Sequence, residues 1–169
     1  MHKIKNELLV ARSKEKDKDA FTQLMQGYMQ DMYKVGLAIL MNDEDVADAI
    51  QDTILACWEK LDTLKKNKYF KTWMTRILIN NCYTILNKNK KMTNLEEWEE
   101  PMYEDEINLE LKEALSHLDE KYRTIVVMYY CQGYSLKEIA AILEVNNSTV
   151  RTRLQRGREM LATYYKQAM

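Results

Sequence analysis

The chain has 169 residues, of which 25 are basic and 26 acidic; 46% are apolar, with four glycines and one proline. That length allows one ordinary domain or two very small ones, and the apolar share supports a packed core, which excludes a wholly disordered chain or a collagen-like repeat. Scarce Gly and Pro beside abundant Leu, Met, Ala, Glu, Lys and Gln predict an all-α chain, and no apolar run reaches the ~18 to 20 residues that would span a membrane.

Met1 to Arg12 is polar and basic, with no apolar stretch before a small-residue cleavage site, so a secretory leader is not expected and the chain is placed in the cytoplasm. From Asp19, the positions Phe21, Leu24, Met25, Tyr28, Met32, Val35, Ile39 and Leu40 recur at three- and four-residue intervals, which gathers them on one helix face. A break at Met41 and Asn42 is followed by Asp43 and Glu44, carboxylates suited to the positive end of a new helix dipole. That helix runs to about Leu61. It has an apolar stripe of Val46, Ile50, Ile54, Cys57, Trp58 and Leu61, with Asp45, Asp48, Asp52 and Glu59 on another side. Such an acidic face is either a solvated surface or a docking surface for a basic partner helix.

Residues 62–68 interrupt the periodicity as a basic loop, with Lys65, Lys66 and Lys68 around Asn67. A third helix is predicted from Tyr69 to about Lys90. It buries Phe70, Trp73, Met74, Ile77, Leu78, Cys82, Ile85 and Leu86 and exposes Arg76, Asn80, Thr84, Asn87 and Lys88 on a side without carboxylates. Amides, a hydroxyl and cations beside a lysine loop suit a nucleic-acid backbone, and nearby rings can stack on unpaired bases. Spacing alone favours a core place for Trp73.

Charge then changes sign. Residues 1–91 carry 16 basic and 12 acidic side chains, residues 92–118 carry 1 and 9, and residues 119–169 carry 8 and 5. The acidic stretch 92–108, around Pro101, reads as a linker between two small domains, 1–91 and 109–169. Leu109, Leu111, Leu115 and Leu118 mark a short amphipathic helix, and Tyr122 to Gln132 a strongly apolar one that Gly133 stops in the left-handed conformation. Ser135 with Glu138 is a capping-box pattern ahead of a helix over 136–143 that buries Ile139, Ala140 and Leu143. After a turn at Glu144, Val145 and Asn146, Asn147 or Ser148 caps a last helix with Val150, Leu154, Met160 and Leu161 on its buried side. This is a helix-turn-helix. Its second helix carries Arg151, Arg153, Arg156 and Arg158, four of the seven arginines, with Thr152 and Gln155 among them. Arginine there can address guanine or clamp phosphate from the major groove.

Cys57, Cys82 and Cys131 are far apart among apolar residues and read as reduced core thiols. With His only at 2 and 117, neither a metal site nor a cofactor is expected. An enzyme is not expected either, since no carboxylate pair stands with a His, no nucleophile stands beside a base, and there is no Gly-rich phosphate loop. The arginine helix alone would also fit an autonomous helix-turn-helix regulator, which would leave the acidic helix and the lysine loop idle.

Taken together, the chain resembles the bacterial RNA polymerase sigma factors of the extracytoplasmic-function type, in the sigma-70 family. The resemblance rests on Asp19-Ala20-Phe21 with Leu24 and Tyr28, on Asp43 to Asp48 leading into Gln51-Asp52, and on Phe70 to Ile77 with Asn80. In the C-terminal half it rests on Leu118, Tyr122-Arg123, Gly133 to Ala140 and Thr149 to Arg158. It implies a two-domain subunit that binds core RNA polymerase, chooses promoter DNA and is covered by an anti-sigma factor. Asp45, Asp48, Gln51, Asp52 and Leu55 then look like the surface that meets the polymerase clamp helices. Lys65, Lys66, Asn67, Lys68, Trp73, Arg76, Asn80 and Lys88 look like the minus-10 surface that captures an unstacked base. Ser148, Thr149, Arg151, Thr152, Arg153, Gln155, Arg156 and Arg158 look like the minus-35 reader. The linker is similar to a segment that threads toward the RNA-exit path. One departure stands out: Thr84, Asn87 and Lys88 occupy the place where the family commonly has an acid and a basic pair, which leaves the melting surface less charged.

Overall fold

A computed structural model describes residues 2–92 and 106–168, and all regular structure among them is helical. Most of the predicted acidic linker, 93–105, lies outside the described residues, and its last three residues already belong to a helix.

The N-terminal half contains α1 (His2–Lys14), α2 (Lys18–Leu40), α3 (Asp43–Lys60) and α4 (Phe70–Met92). Helix α1 is not among the predicted elements, because the sequence there shows no broad apolar stripe. Of its apolar side chains Leu9 and Val10 are buried, while Ile4 and Leu8 face outward. The α1–α2 corner passes through Lys16 in the left-handed conformation (φ 69°). Arg12 closes it by donating from Nε and Nη2 to Asp17 Oδ2 at 3.1 and 2.7 Å. Asp17 also caps α2, accepting from the Ala20 amide at 3.1 Å. That amide, and then Arg12, hold the Asp17 carboxyl below the usual carboxylate range.

Helix α2 ends on Met41 (φ 52°), whose N–H donates to Leu37 O at 2.9 Å, and Asn42 then caps α3 by accepting from the Asp45 amide at 2.9 Å. Helices α2, α3 and α4 pack around Leu24, Met32, Ile39, Val46, Met74 and Leu78. Gly36 permits the α2–α3 approach: a Cβ there would lie 2.9 Å from Val46 Cγ1. On α4, Phe70, Met74, Leu78 and Cys82 are buried as expected, whereas Trp73, Ile77, Ile85 and Leu86 are only half-buried. Ile79 and Thr75 take core places instead, because α4 is covered by α2, α3 and the second half of the chain, wider than one stripe.

The C-terminal half contains α5 (Glu106–Ser116), α6 (Glu120–Val126), α7 (Leu136–Leu143) and α8 (Asn147–Ala168). The single apolar helix expected to reach Gln132 instead widens after Val126 into a π-helical turn over Val127–Cys131. Gly133 (φ 72°) then reverses the chain, and the Tyr134 amide donates to Met128 O at 3.1 Å. The extra residue in that turn rotates Cys131 to the exposed side, so it is not the core thiol the sequence suggested, while Cys57 and Cys82 are buried. Ser135 and Glu138 form the reciprocal capping box, and Glu144 (φ 57°) ends α7. Ile139, Ala140, Val150 and Leu154 are buried as predicted. Ile142 is buried and Leu143 half-buried, and Met160 is exposed, where it lines an open surface hollow with Glu113, His117 and Tyr164. Gly157 lets α8 cross α6, as a Cβ there would lie 2.7 Å from Val126 Cγ2.

The halves touch: α6 lies against α2, and α7 against α4. Arg123, nearly fully buried, reaches from α6 to the last turn of α2, where Ala38 O and Ile39 O accept from its Nε and Nη2, the latter at 3.3 Å. Its Nη1 donates to Leu118 O at 2.8 Å. A cation thereby satisfies carbonyls that a helix C-terminus leaves without intrahelical partners, at the negative end of the dipole. Nearby, Tyr33 OH donates to Asp43 Oδ1 at 2.6 Å, and the buried Lys112 ammonium stands 3.6 Å from the same oxygen.

Candidate polymerase and nucleic-acid interfaces

The acidic face of α3 is assembled as predicted in part. Asp48, Gln51, Asp52 and Leu55 are all exposed, and Leu55 stands out as an apolar side chain 57% exposed between acids. Asp45 is half-buried and turned toward α4, where Asn89 Nδ2 donates to its Oδ2 at 2.9 Å. Along this face runs an open apolar groove of ≈ 1120 Å³, walled by Met29 and Leu37 of α2, Ile54 and Trp58 of α3, and Leu115 and Val127 of the second half. Gln51 and Leu55 of this face line the groove, whose charged lining is Asp43 with Lys18, Lys34 and Lys112; apolar walls with charges of both signs suit a protein partner.

The lysine loop is a short extended bridge between two 3₁₀ turns, Leu61–Thr63 and Asn67–Tyr69. Leu61 and Leu64 are buried beneath it, Lys65, Lys66 and Lys68 point to solvent, and Asn67 is half-buried. Lys68 lies over the Tyr69 ring, 5.0 Å from its centroid. Trp73 is half-buried with its ring 5.8 Å from that of Phe70, so it serves the core and still offers an open edge beside the loop. Arg76, Asn80 and Lys88 are exposed on α4, which contains no acid. The Thr84 hydroxyl is used locally, donating to Asn80 O at 2.9 Å.

Arg76 has a partner that sequence could not show: Nη2 donates to Ala141 O in the last turn of α7 at 2.5 Å. At the preceding residue, Thr75 Oγ1 and Tyr134 OH are 2.8 Å apart in a buried pair, and Lys71 Nζ donates to Gln132 O at 3.4 Å. Burial pushes the Tyr134 phenol up to about 12.

On α8, Ser148, Arg151, Thr152, Gln155, Arg156 and Arg158 are exposed, and Thr149 and Arg153 are half-buried. The arginines do not share one environment. Arg156 leans on Tyr122 and draws its phenol below the usual value. Arg158 lies over the Tyr129 and Tyr130 rings, 5.7 and 5.4 Å from their centroids, and donates to Tyr130 OH. Thr152 spends its hydroxyl on Ser148 O at 2.9 Å, and Gln155 donates to Glu159 at 3.4 Å. Arg151 is thus the most open cation near the start of the helix, where a recognition helix meets base edges. Sequence reasoning gave no site role to Arg123, Lys112 or Lys14. For Arg123 a signal existed, a lone cation in an apolar helix; for Lys14 there was none.

Two helical units stand in one chain, one with a capped helix-turn-helix presenting arginines and one with an acidic helix beside a cationic loop. The Sigma-70 region 2 family model matches residues 24–92 and the Sigma-70, region 4 model matches residues 108–161. The RNA polymerase sigma factor SigV of Bacillus subtilis is 27% identical over 158 residues, covering 89% of this chain and 93% of that protein. The ECF RNA polymerase sigma factor SigW of the same organism is 27% identical over 172 residues, covering 90% and 92%. The sigma factor RpoE of Bartonella quintana, solved in complex with the anti-sigma factor NepR, shares the fold with a TM-score of 0.74 at 22% identity, covering 86% of this chain and 96% of that one. The chain belongs to the sigma-70 family, as a sigma factor of the extracytoplasmic-function type. Among the described residues no helix is long and apolar enough to cross a membrane.

Proposed function

We propose that this chain binds core RNA polymerase in the cytoplasm, directs it to promoters and helps open them, and that an anti-sigma factor restrains it. The observation that carries this reading is the coexistence of three faces: the exposed acids of α3, the acid-free cationic surface of the loop and α4, and the outward arginines of α8. An autonomous regulator would use only the last. In the proposed division of labour, residues 1–91 bind polymerase and the minus-10 element, residues 109–169 bind the minus-35 element, and 92–108 connect them.

Asp48, Asp52, Gln51 and Leu55 contact polymerase, with Asp45 steadying α3 against α4. Lys65, Lys66 and Lys68 hold the opened strand by its phosphates, Asn67 and the edge of Trp73 receive a flipped base, and Asn80 and Lys88 continue the path along α4. Unstacking a base costs a few kcal/mol, which these contacts need only offset. Arg151, with Ser148, Thr149, Thr152 and Gln155, faces base edges, while Arg153, Arg156 and Arg158 clamp phosphate. A strand reaching Arg76 must displace Ala141, so promoter opening is coupled to release of α7 from α4. The apolar groove beside Leu55 supports an anti-sigma factor that competes with polymerase for α3.

Footprinting with and without core polymerase tests the reading. The expected result is co-migration of the chain with polymerase and protection of two promoter elements only when both are present. Tight protection of duplex promoter by the chain alone, unchanged by polymerase, would overturn it in favour of an autonomous regulator.

A further inference from the structure

We infer that α1, which precedes the stretch matched by the region 2 family model, is part of the minus-10 reader, with Lys14 as the positioning residue that sets the backbone of the lysine loop. The inference rests on the proposed role of that loop. Between its two 3₁₀ turns the loop backbone is extended, with φ −75° and ψ 112° at Leu64 and φ −122° and ψ 120° at Lys66. The backbone secures only its ends, through the Leu64 amide to Leu61 O and the Tyr69 amide to Lys66 O, each 3.1 Å. A further hold, on the carbonyl of the first extended residue, comes from fifty residues away: Lys14 Nζ donates to Leu64 O at 2.6 Å.

That reach is built. Lys14 lies in the last turn of α1, whose Leu9 and Val10 join the same core as Leu61, Leu64 and Phe70. Helix α1 packs on α2 and on both 3₁₀ turns. The Arg12–Asp17 pair fixes the corner that follows, and the buried Ser13 hydroxyl is satisfied by Leu9 O at 2.6 Å. Lys14 is itself half-buried, so its stem packs and its ammonium has few alternative places. Because the Leu64 carbonyl belongs to the peptide that begins Lys65, anchoring it orients the step from which Lys65 and Lys66 project. The ammonium also adds a positive charge at the base of the loop, behind its three lysines.

Two measurements on the full chain test this, using Lys14→Met, which keeps the stem and loses the donor, and Lys14→Arg, which restores one. The first is amide hydrogen exchange of residues 64–68. Losing one charged hydrogen bond is expected to speed exchange about fivefold in Lys14→Met and to leave it near wild type in Lys14→Arg, with the thermal midpoint almost unmoved. The second is transcription by the reconstituted holoenzyme across a library of minus-10 variants. Lys14→Met is expected to flatten discrimination between the best and next-best elements about threefold, with polymerase affinity unchanged and Lys14→Arg restoring the wild-type profile. Unchanged loop exchange in Lys14→Met overturns the tether. Faster exchange with an unchanged minus-10 profile overturns its part in reading. If the wild-type holoenzyme selects no promoters at all, the functional reading fails instead, and the exchange data still decide whether Lys14 holds the loop.

Discussion

Two arginines tie the halves of the molecule together, and each does so by capping the C-terminal end of a helix in the other half. Arg123 of α6 reaches Ala38 and Ile39 at the end of α2; Arg76 of α4 reaches Ala141 at the end of α7. The bonds are alike in kind, but their surroundings differ. Arg123 is buried, and burial pulls its guanidinium below its ordinary value, so removing it strands carbonyls that water cannot reach. Arg76 is exposed, and solvent or a phosphate can replace Ala141 at small cost. The buried tie is therefore structural and the exposed one exchangeable, and the exchangeable one lies on the face proposed to meet the promoter.

The sharpest way to break this comparison is Arg123→Met. It keeps bulk but strands three acceptors, so urea unfolding should show a loss of about 3 kcal/mol. A loss below ~1 kcal/mol would mean that water takes over the carbonyls and that the tie is not buried in solution.

A second, smaller effect separates close helix crossings from open helix surface. At Gly157 an added methyl meets the stiff Val126 side chain, and Gly157→Ala should lose about 1 kcal/mol once the gain in helix propensity is subtracted, and should weaken minus-35 binding by moving α8. At Gly27, in α2, a Cβ meets nothing within 4 Å, so Gly27→Ala should gain about 0.5 to 1 kcal/mol. Thermal unfolding of both variants checks the opposite signs. Smallest of all on stability is Arg76→Ala, expected within about 0.5 kcal/mol of wild type, yet permanganate probing of promoter opening should fall clearly. A large stability loss there would place Arg76 with Arg123 as a structural tie.

Much of this architecture is legible in the sequence because it is periodic or punctuated. The stripes of α2 and α3, the acidic start after Asn42, the left-handed Gly133 and the Ser135–Glu138 box are local signals, each with a partner within a few residues. The exposed acids of α3 and the arginines of α8 follow from the same periodicity, and the lysine loop from its interruption. What could not be read has backbone or distant partners. Arg123, Arg76 and Lys14 all donate to carbonyls, which every residue carries and no pattern marks. Helix α1 buries too narrow a stripe to register, and the π-helical turn shifts Cys131 outward by a change of pitch that fixed helical spacing does not anticipate. Arg158 belongs with these, since its hold on Tyr130 depends on how α8 crosses the end of α6.

The central claim, that the acids of α3 deliver this chain to polymerase, is tested most directly by run-off transcription with core enzyme, comparing the wild-type chain with a variant carrying Asp48→Lys and Asp52→Lys. The account predicts discrete start sites with the wild type and at least about tenfold less product with the variant, from lost charge complementarity at equal fold stability. Discrete starts of equal yield from both proteins, or none from either, would contradict it.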